Sequence, residues 1–486
     1  MSIPDEEQPL LRQITEDDTK HDEVILDFEP MDPEDPRNWS PAFKWCIVLL
    51  LASMAFTVTF TCIGVVPIAN RIVEDLDGHS SSSSTSALLV TIWELGEAAG
   101  PLLNAPLSEV VGRAPVMHGC NVFFILFTLI AATSQSSKIF IAARMLTGIA
   151  VAANVLNPAI IGDMFESEKR GSAMSLIMLA PLIGGAIAPA ISGAIAQTLG
   201  WRQVMYMAAG LAILCEVLFF TCFQETYKMA ILRRRVRKIQ QESGEFDVVK
   251  VTSKRESALK IWHSATRPFS VLFGSSVLML LSLFASIAFS YFYVMCISLP
   301  QVLEEEYGFT PAQVGSAFLS MSFGSFLAVI CCNFGLDRIY VKLRGSDDAK
   351  GKPEYRLPLA ILGGFALPLT ITAYGWIAQL RLPVPLLLVA AGLLDLSILL
   401  TIVPLQAYIV DACGLFSASA MTGVIVTRCL AGTFLPLTTA PLAELLGYGW
   451  GFTCLGALSL VLAIIPVLIL RYGEKWRQQS AFTKDE

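Results

Sequence analysis

The chain is short of charge. Only 15% of its 486 residues are Asp, Glu, Lys or Arg, against 54% hydrophobic, and the mean hydropathy is +0.61. A soluble globular domain carries about a quarter charged residues, so that class is excluded. Histidine is scarce too: His21, His79, His118 and His263 are the four, all read outside span interiors, so a proton carried at membrane depth must ride on a carboxylate. The eleven cysteines lack the spacing of a disulfide or metal set and read as small apolar packers, so no metal site is expected. A phosphate-cradling loop is missing as well. Gly351-Lys352-Pro353 lacks both the hydroxyl residue and the upstream glycine, which excludes ATP as the energy source in this chain. Asp5, Glu6 and Glu7, with no apolar core before residue 45, argue against a cleaved secretory signal; the first span is expected to serve as its own insertion signal.

What is present is a series of apolar runs of roughly 20 residues, the length that crosses a bilayer. Backbone polar groups in lipid need internal partners, so these runs read as helices. Twelve are predicted, near 45–67, 87–108, 116–134, 138–161, 171–196, 201–223, 272–297, 313–334, 357–377, 384–409, 417–441 and 449–470. Residues 1–44 form an N-terminal tail, 45–223 a six-helix lobe, 224–271 a polar linker, 272–470 a second six-helix lobe and 471–486 a C-terminal tail. The expected fold class is an all-α membrane protein of twelve transmembrane helices in two six-helix lobes.

Basic residues set the expected orientation. With both termini cytoplasmic, only Arg71, Lys138, Arg202 and Arg381 lie outside and Arg144 and Arg428 lie within spans, leaving the remaining 28 of 34 basic residues inside. The linker run Arg233-Arg234-Arg235 with Arg237-Lys238 is then an inside loop obeying the charge rule, rather than a nucleic-acid or lipid patch.

Several stretches resemble the major facilitator superfamily, and within it the fungal drug:proton antiporters with twelve spans. Before span 1, Asp32-Pro33-Glu34-Asp35-Pro36-Arg37-Asn38-Trp39-Ser40 is similar to the pre-membrane signature of those proteins. After span 2, Glu109, Gly112 and Arg113 match the superfamily's loop motif; its opening glycine is Ala105 here and its later basic positions are Val110 and Ala114. Arg144-Met145-Leu146-Thr147-Gly148 resembles the arginine motif associated with proton coupling. In span 5, Pro181, Gly184, Gly185, Pro189 and Gly193 are spaced like the antiporter motif, with Ala180, Ala188 and Ser192 where glycine is usual; the stretch reads as a pliable cavity wall or as ordinary small-residue packing. Trp201-Arg202, Glu225-Thr226-Tyr227, Asp337-Arg338, Pro353-Glu354-Tyr355-Arg356 and Tyr472-Gly473 extend the match over nearly the whole chain. The resemblance implies two lobes rocking about a central cavity lined by spans 1, 4, 7 and 10, with spans 2 and 11 facing each other.

Charges inside the spans are then the candidates for function, since each costs roughly 2.5–3.5 kcal/mol on insertion scales. Glu94 and Glu97 share one face of span 2 by their i, i+3 spacing. Counted at about 1.5 Å per residue, Glu94 matches the depth of Arg144 in span 4, and Glu97 that of Arg428 in span 11. The expectation is a Glu94–Arg144 pair inside the first lobe and a Glu97–Arg428 contact across the lobe boundary that makes and breaks during the cycle; a permanent structural ion pair is the alternative. Asp395 in span 10 reads as a substrate or proton site, or as an acid hydrogen-bonded within its own lobe. Glu216 in span 6 reads as structural. Asn154, Asn157, Tyr291 and Tyr293 are candidate cavity residues, with interhelical bonding or an interfacial belt as the alternative.

Together these features imply a carrier and not an enzyme: a proton-coupled antiporter exporting a small organic compound, a drug or secondary metabolite, by alternating access. The rivals are a proton-independent facilitator, an importer of an organic acid or other metabolite, and a non-transporting receptor. No cofactor is expected, the proton gradient being the energy source. The expected partners are a small-molecule substrate and the bilayer, with no nucleic acid, and the monomer is expected to function alone. Plasma membrane is the expected location. Glu6-Glu7-Gln8-Pro9-Leu10-Leu11 resembles an acidic dileucine sorting signal and keeps the vacuolar membrane as the alternative.

Overall fold

Ser40 caps the first crossing by accepting from the Phe43 amide, with Pro41 at the first helical position where its missing N–H is no loss. From there the computed structural model runs almost entirely as helix through the residues it describes, 28, 31–78, 83–243, 254–345, 352–480 and 482–483. The dileucine-like stretch at 6–11 lies outside the described residues. Span 1 is Pro41–Ile63, continued through a short turn into Ala69–Asp77. Span 2 is Ser83–Val111, span 3 Arg113–Thr133, span 5 Ser167–Thr198 and span 6 Trp201–Cys222. Span 4 is broken, as Ser137–Ile149 and Ala153–Met164. Two linker helices, Lys228–Ser243 and Lys254–Phe273, lead to span 7 at Ser276–Glu305. Span 8 is Pro311–Ala317 with Leu319–Arg344, span 9 Leu357–Gln379 and span 10 Val384–Cys413. Span 11 starts at Ser417, and the chain turns back at Gly447 into span 12, which ends in Ile464–Arg477.

Among the described residues nine stretches are long and apolar enough to cross a membrane, and one of them, Ser417–Arg477, contains both spans 11 and 12. The two crossings that fall short are spans 2 and 4. They are the spans that carry Glu94, Glu97 and Arg144; span 2 is interrupted by its carboxylates, and span 4 is broken into helices of 13 and 12 residues.

Within the first lobe span 1 packs on span 5, span 2 on span 4, and span 3 on spans 4 and 6; within the second, span 10 packs on spans 8 and 9, and span 9 on span 12. The lobes meet along spans 5 and 8 and along spans 2 and 11. A close backbone approach inside the first lobe is made between Gly96 and Gly148. A Cβ at Gly96 would fall on the Met145 carbonyl oxygen and 2.9 Å from the Gly148 Cα, and one at Gly148 would lie 3.1 Å from the Gly96 Cα. Below this crossing the Asn104 side-chain amide donates to the Ile149 carbonyl at 3.2 Å, covering an oxygen released by the break in span 4. The second lobe has a similar crossing, where a Cβ at Gly324 of span 8 would lie 3.1 Å from the Gly392 Cα of span 10.

Among the described residues, the segments around Asp32 and Phe482 both lie on the linker face of the bundle, Asp32 beside Arg235 and Phe482 beside Gly274. On the opposite face the lobes are sealed by small residues: a Cβ at Gly193 would lie 2.9 Å from the Pro311 carbonyl carbon, and one at Gly315 would lie 3.1 Å from the Ala190 Cα. Polar ties support this seal, the Asn70 amide donating to Glu304 at 3.4 Å and the Ala312 amide to Gln197 at 3.4 Å. On the linker face the tail docks on the first linker helix, where Arg235 reaches Asp32 at 2.8 Å and Glu34 at 2.7 Å.

His118 corrects a sequence expectation. It lies inside the span 3 helix, with Nδ1–H donating to Glu216 Oε1 at 2.7 Å, while the Asn121 amide donates to the other oxygen at 2.7 Å. Glu216 is therefore held within its own lobe by two span 3 side chains.

Two outcomes test this packing. Gly96→Leu should lower the thermal stability of the detergent-solubilised chain by about 1–3 kcal/mol or abolish folding, whereas Gly119→Ala, with nothing within 4 Å of the new Cβ, should leave the melting curve unchanged. The Arg235 hydrogen bond holds the Asp32 carboxyl below its usual value. That tie is complete above the ordinary Asp value of about 3.9 and is lost only as pH falls through the lower native value. Protection of the tail from protease should accordingly be flat from about pH 8 to 5, and Asp32→Asn should reduce it at every pH.

Candidate coupling site at the lobe boundary

Glycines decide where the span 2 carboxylates point. At about 100° per residue, Gly96 and Gly100 lie roughly a third of a turn from Glu94 and Glu97. With the glycines against span 4, the glutamates face spans 7 and 11 of the other lobe. Glu94 is 2% exposed, and its Oε1 accepts the Tyr293 hydroxyl of span 7 at 2.6 Å. Its Oε2 has no hydrogen-bond partner and lies 3.6 Å from where a Cβ on Gly432 of span 11 would stand. Glu97 accepts the Trp93 indole N–H at 3.2 Å and approaches Arg428 of span 11, with 4.0 Å between Oε1 and Nη2. The Arg428 guanidinium stacks 4.2 Å over the Phe289 ring of span 7.

Arg144 departs from expectation, because it does not pair with Glu94. Its two terminal nitrogens donate to the Thr61 and Cys62 carbonyls at 2.9 and 3.1 Å, and its plane lies 4.8 Å over the Trp93 ring. The physical reason is the end of the first helix of span 1 at Ile63. The last carbonyls of a helix have no intrahelical donor and carry the negative end of the dipole, so they hold a guanidinium without a carboxylate. A continuous polar chain results: span 1 carbonyls, Arg144, Trp93, Glu97 and Arg428. It is joined back to span 1 by the Cys62 sulfur 3.9 Å from the Tyr293 hydroxyl.

The remaining candidates separate. Tyr293 belongs to the boundary, but Tyr291 is fully buried and donates to the Leu455 carbonyl of span 12 at 2.7 Å, so it serves its own lobe. Asp395 accepts a hydrogen bond from Ser325 of span 8, which is the within-lobe alternative. Asn157 is buried with Oδ1 unpartnered, and the side chain of Asn154 lies outside the described residues. In span 5, Gly184 meets the Phe56 carbonyl of span 1, Gly185 meets Thr59, and Pro189 and Gly193 meet span 8. Pro181 is half-buried within span 5.

The loop motif has a built geometry of its own. Gly112 sits at φ +114°, and a Cβ there would strike the Glu225 carboxylate. Glu225 in turn accepts from the Arg113 and Ala114 amides at 2.8 and 3.2 Å, capping the start of span 3 from a distant part of the chain. The Arg113 side chain donates to Ser108 at 2.5 Å and Asp163 at 3.4 Å and lies 4.8 Å over Tyr227. Glu109 is exposed. These ties stay inside the first lobe.

The residues that sequence reasoning missed are Trp93, Phe289, Cys429 and Asn104. Gly96-x-x-x-Gly100 was a visible signal for the first, since it fixes which neighbours of the glycines face span 4. No metal-ligand spacing is visible in the sequence, yet ligand atoms of Glu94, Glu97 and Cys429 all lie within 4.8 Å of one another. All eleven cysteines are free.

This arrangement, charged groups buried between two six-helix lobes, has a known setting. The sequence profile described as Major Facilitator Superfamily matches residues 46–427. The chain belongs to the major facilitator superfamily. Among curated relatives, an efflux pump named radE from Floropilus chiversii is 30% identical over 467 residues, covering 95% of this chain and 86% of that one. The MFS transporter cpaT of Aspergillus oryzae is 31% identical, covering 93% and 91%. Among solved structures, a D-xylose-proton symporter superposes with a TM-score of 0.67 at 15% identity, covering 86% of this chain and 97% of that one; the likeness establishes the fold. This superfamily member is accordingly a multi-pass membrane transporter, similar over nearly its whole length to fungal transporters, and not an enzyme.

Its buried arginine offers a direct test. Arg144→Ala leaves the Thr61 and Cys62 carbonyls without donors, at about 1–3 kcal/mol for each unsatisfied group, and should lower the melting temperature sharply. Arg144→Lys should fall between wild type and Ala, since an ammonium neither forks across two carbonyls nor stacks on Trp93 as a planar guanidinium does.

Proposed function

We propose that the chain is a proton-coupled antiporter exporting a small organic compound from the cytosol by alternating access, with both termini cytoplasmic in the plasma membrane. The observation that carries this reading is the pair of span 2 glutamates placed against the opposite lobe, one bonded to Tyr293 and one only 4.0 Å from Arg428. A contact at that distance is weak enough to break when the lobes move. Glu97 then alternates between having the Arg428 guanidinium beside it and having it withdrawn, and that change of partner is the proposed link to proton movement. Glu94 has a lone oxygen at the boundary that can take a proton or a donor group of the substrate. The proton gradient supplies the energy, and no cofactor enters. With the termini inside, the span 5 and span 8 seal is the outer one, and this conformer holds the exit side shut.

The relatives named as an efflux pump and transporters support export. Arg71, Lys138, Arg202 and Arg381 as the sole basic residues of the outer loops support the orientation. Proton coupling rests on the carboxylates alone.

A growth-protection screen in a drug-sensitive yeast host, covering lipophilic cations, neutral compounds and organic acids, selects the substrate. In sealed vesicles loaded with a pH-sensitive dye, that substrate should then drive proton movement. Glu94→Gln and Glu97→Gln, tested separately, should each cut the coupled proton flux at least about tenfold, as expected for loss of a proton carrier. Unchanged flux in both variants would assign the glutamates a purely structural role, and transport without any proton movement would make the chain a facilitator.

A further inference from the structure

We infer that Glu94, Glu97 and Cys429 form a binding site for a thiophilic divalent cation that clamps the two lobes together. Two carboxylates come from span 2 and a thiol from span 11, and their ligand atoms all lie within 4.8 Å of one another. A second feature points the same way: Glu94 Oε2 is buried without a hydrogen-bond partner and faces the gap left by Gly432. Gly432 is three residues beyond Cys429, on the same face of span 11.

A tetrahedral ion with Zn–S near 2.3 Å and Zn–O near 2.0–2.2 Å holds its donors about 3.5 Å apart, so side-chain rotations closing roughly 1 Å assemble the site. A mixed thiolate and carboxylate set selects zinc or cadmium over magnesium or calcium. On binding, Cys429 forms a sulfur–metal bond and releases its proton to solvent, as does any protonated glutamate. The charges then balance. Three anionic donors offset the divalent ion and the neighbouring Arg428 guanidinium together, so the loaded site is neutral at membrane depth. Because the ion joins span 2 of one lobe to span 11 of the other, it holds the boundary closed and arrests the cycle.

Cadmium alone is the probe, added to the purified full-length chain in lipid nanodiscs and followed by its near-ultraviolet thiolate charge-transfer absorption. Cys429→Ser should weaken the tightest cadmium binding at least tenfold and remove the corresponding share of the band, while Cys454→Ser, at an exposed position, should leave both unchanged. Glu97→Gln should weaken the same binding, and it guards against a misfolded Cys429 variant because this side chain is not fully buried. Hydrogen exchange in spans 2 and 11 should slow with cadmium in the wild type and not in Cys429→Ser. Wild-type cadmium affinity in both Cys429→Ser and Glu97→Gln would overturn the site, as would slowed exchange that persists without the thiol. These readouts need neither substrate nor proton flux, so they stand apart from the antiport reading.

Discussion

The contact between Gly96 and Gly148 is the constraint on which the functional geometry depends. Two backbones can approach this closely only without side chains, and their approach fixes the rotation of span 2 about its own axis. That rotation delivers Trp93 to Arg144, and Glu94 and Glu97 to the other lobe. A bulkier residue at the crossing would turn the carboxylates as well as separate the helices. Packing and charge placement in the first lobe are thus one problem with one solution.

Burying ions in hydrocarbon calls for partners, and the molecule finds three different kinds. Arg144 takes helix-end carbonyls and an indole face, Glu94 takes a phenol, and Glu97 takes an indole N–H and a distant guanidinium. The Glu97–Arg428 contact is the long one of these, at 4.0 Å across the lobe boundary. A stable internal anchor and a loose external contact are what a moving boundary requires, since a tight bidentate pair across it would resist separation. The far-face seal follows the same logic by different means: small residues of spans 5 and 8 lie against each other with few polar ties, which separate at modest cost.

Twelve crossings were legible because hydropathy writes membrane spans plainly, and depth counting brought Glu97 level with Arg428. It misassigned Arg144, because depth says nothing about the break in span 1 at Ile63 that frees carbonyls for a guanidinium. Tyr291 and Tyr293 illustrate a second limit. They are two residues apart on one helix, and only the packing tells which of them faces span 12 and which the opposite lobe. His118 shows a third, since a histidine near a predicted span end reads as interfacial until its neighbour Glu216, nearly a hundred residues away, is placed beside it. Cys429 had no sequence pattern at all, its relation to the glutamates being purely one of assembled space.

The second glycine crossing, between Gly324 and Gly392, gives the molecule an internal comparison. Glu97 follows the span 2 glycine directly, and Ser325 follows the span 8 glycine in the same way, there meeting Asp395. The two halves therefore share a frame and differ in what they hang on it: a charge turned outward in one, a hydroxyl bonded inward in the other. The slot after each glycine is interchangeable chemistry on a fixed mount, so the halves can diverge in the ions they carry without rebuilding the joints on which they turn.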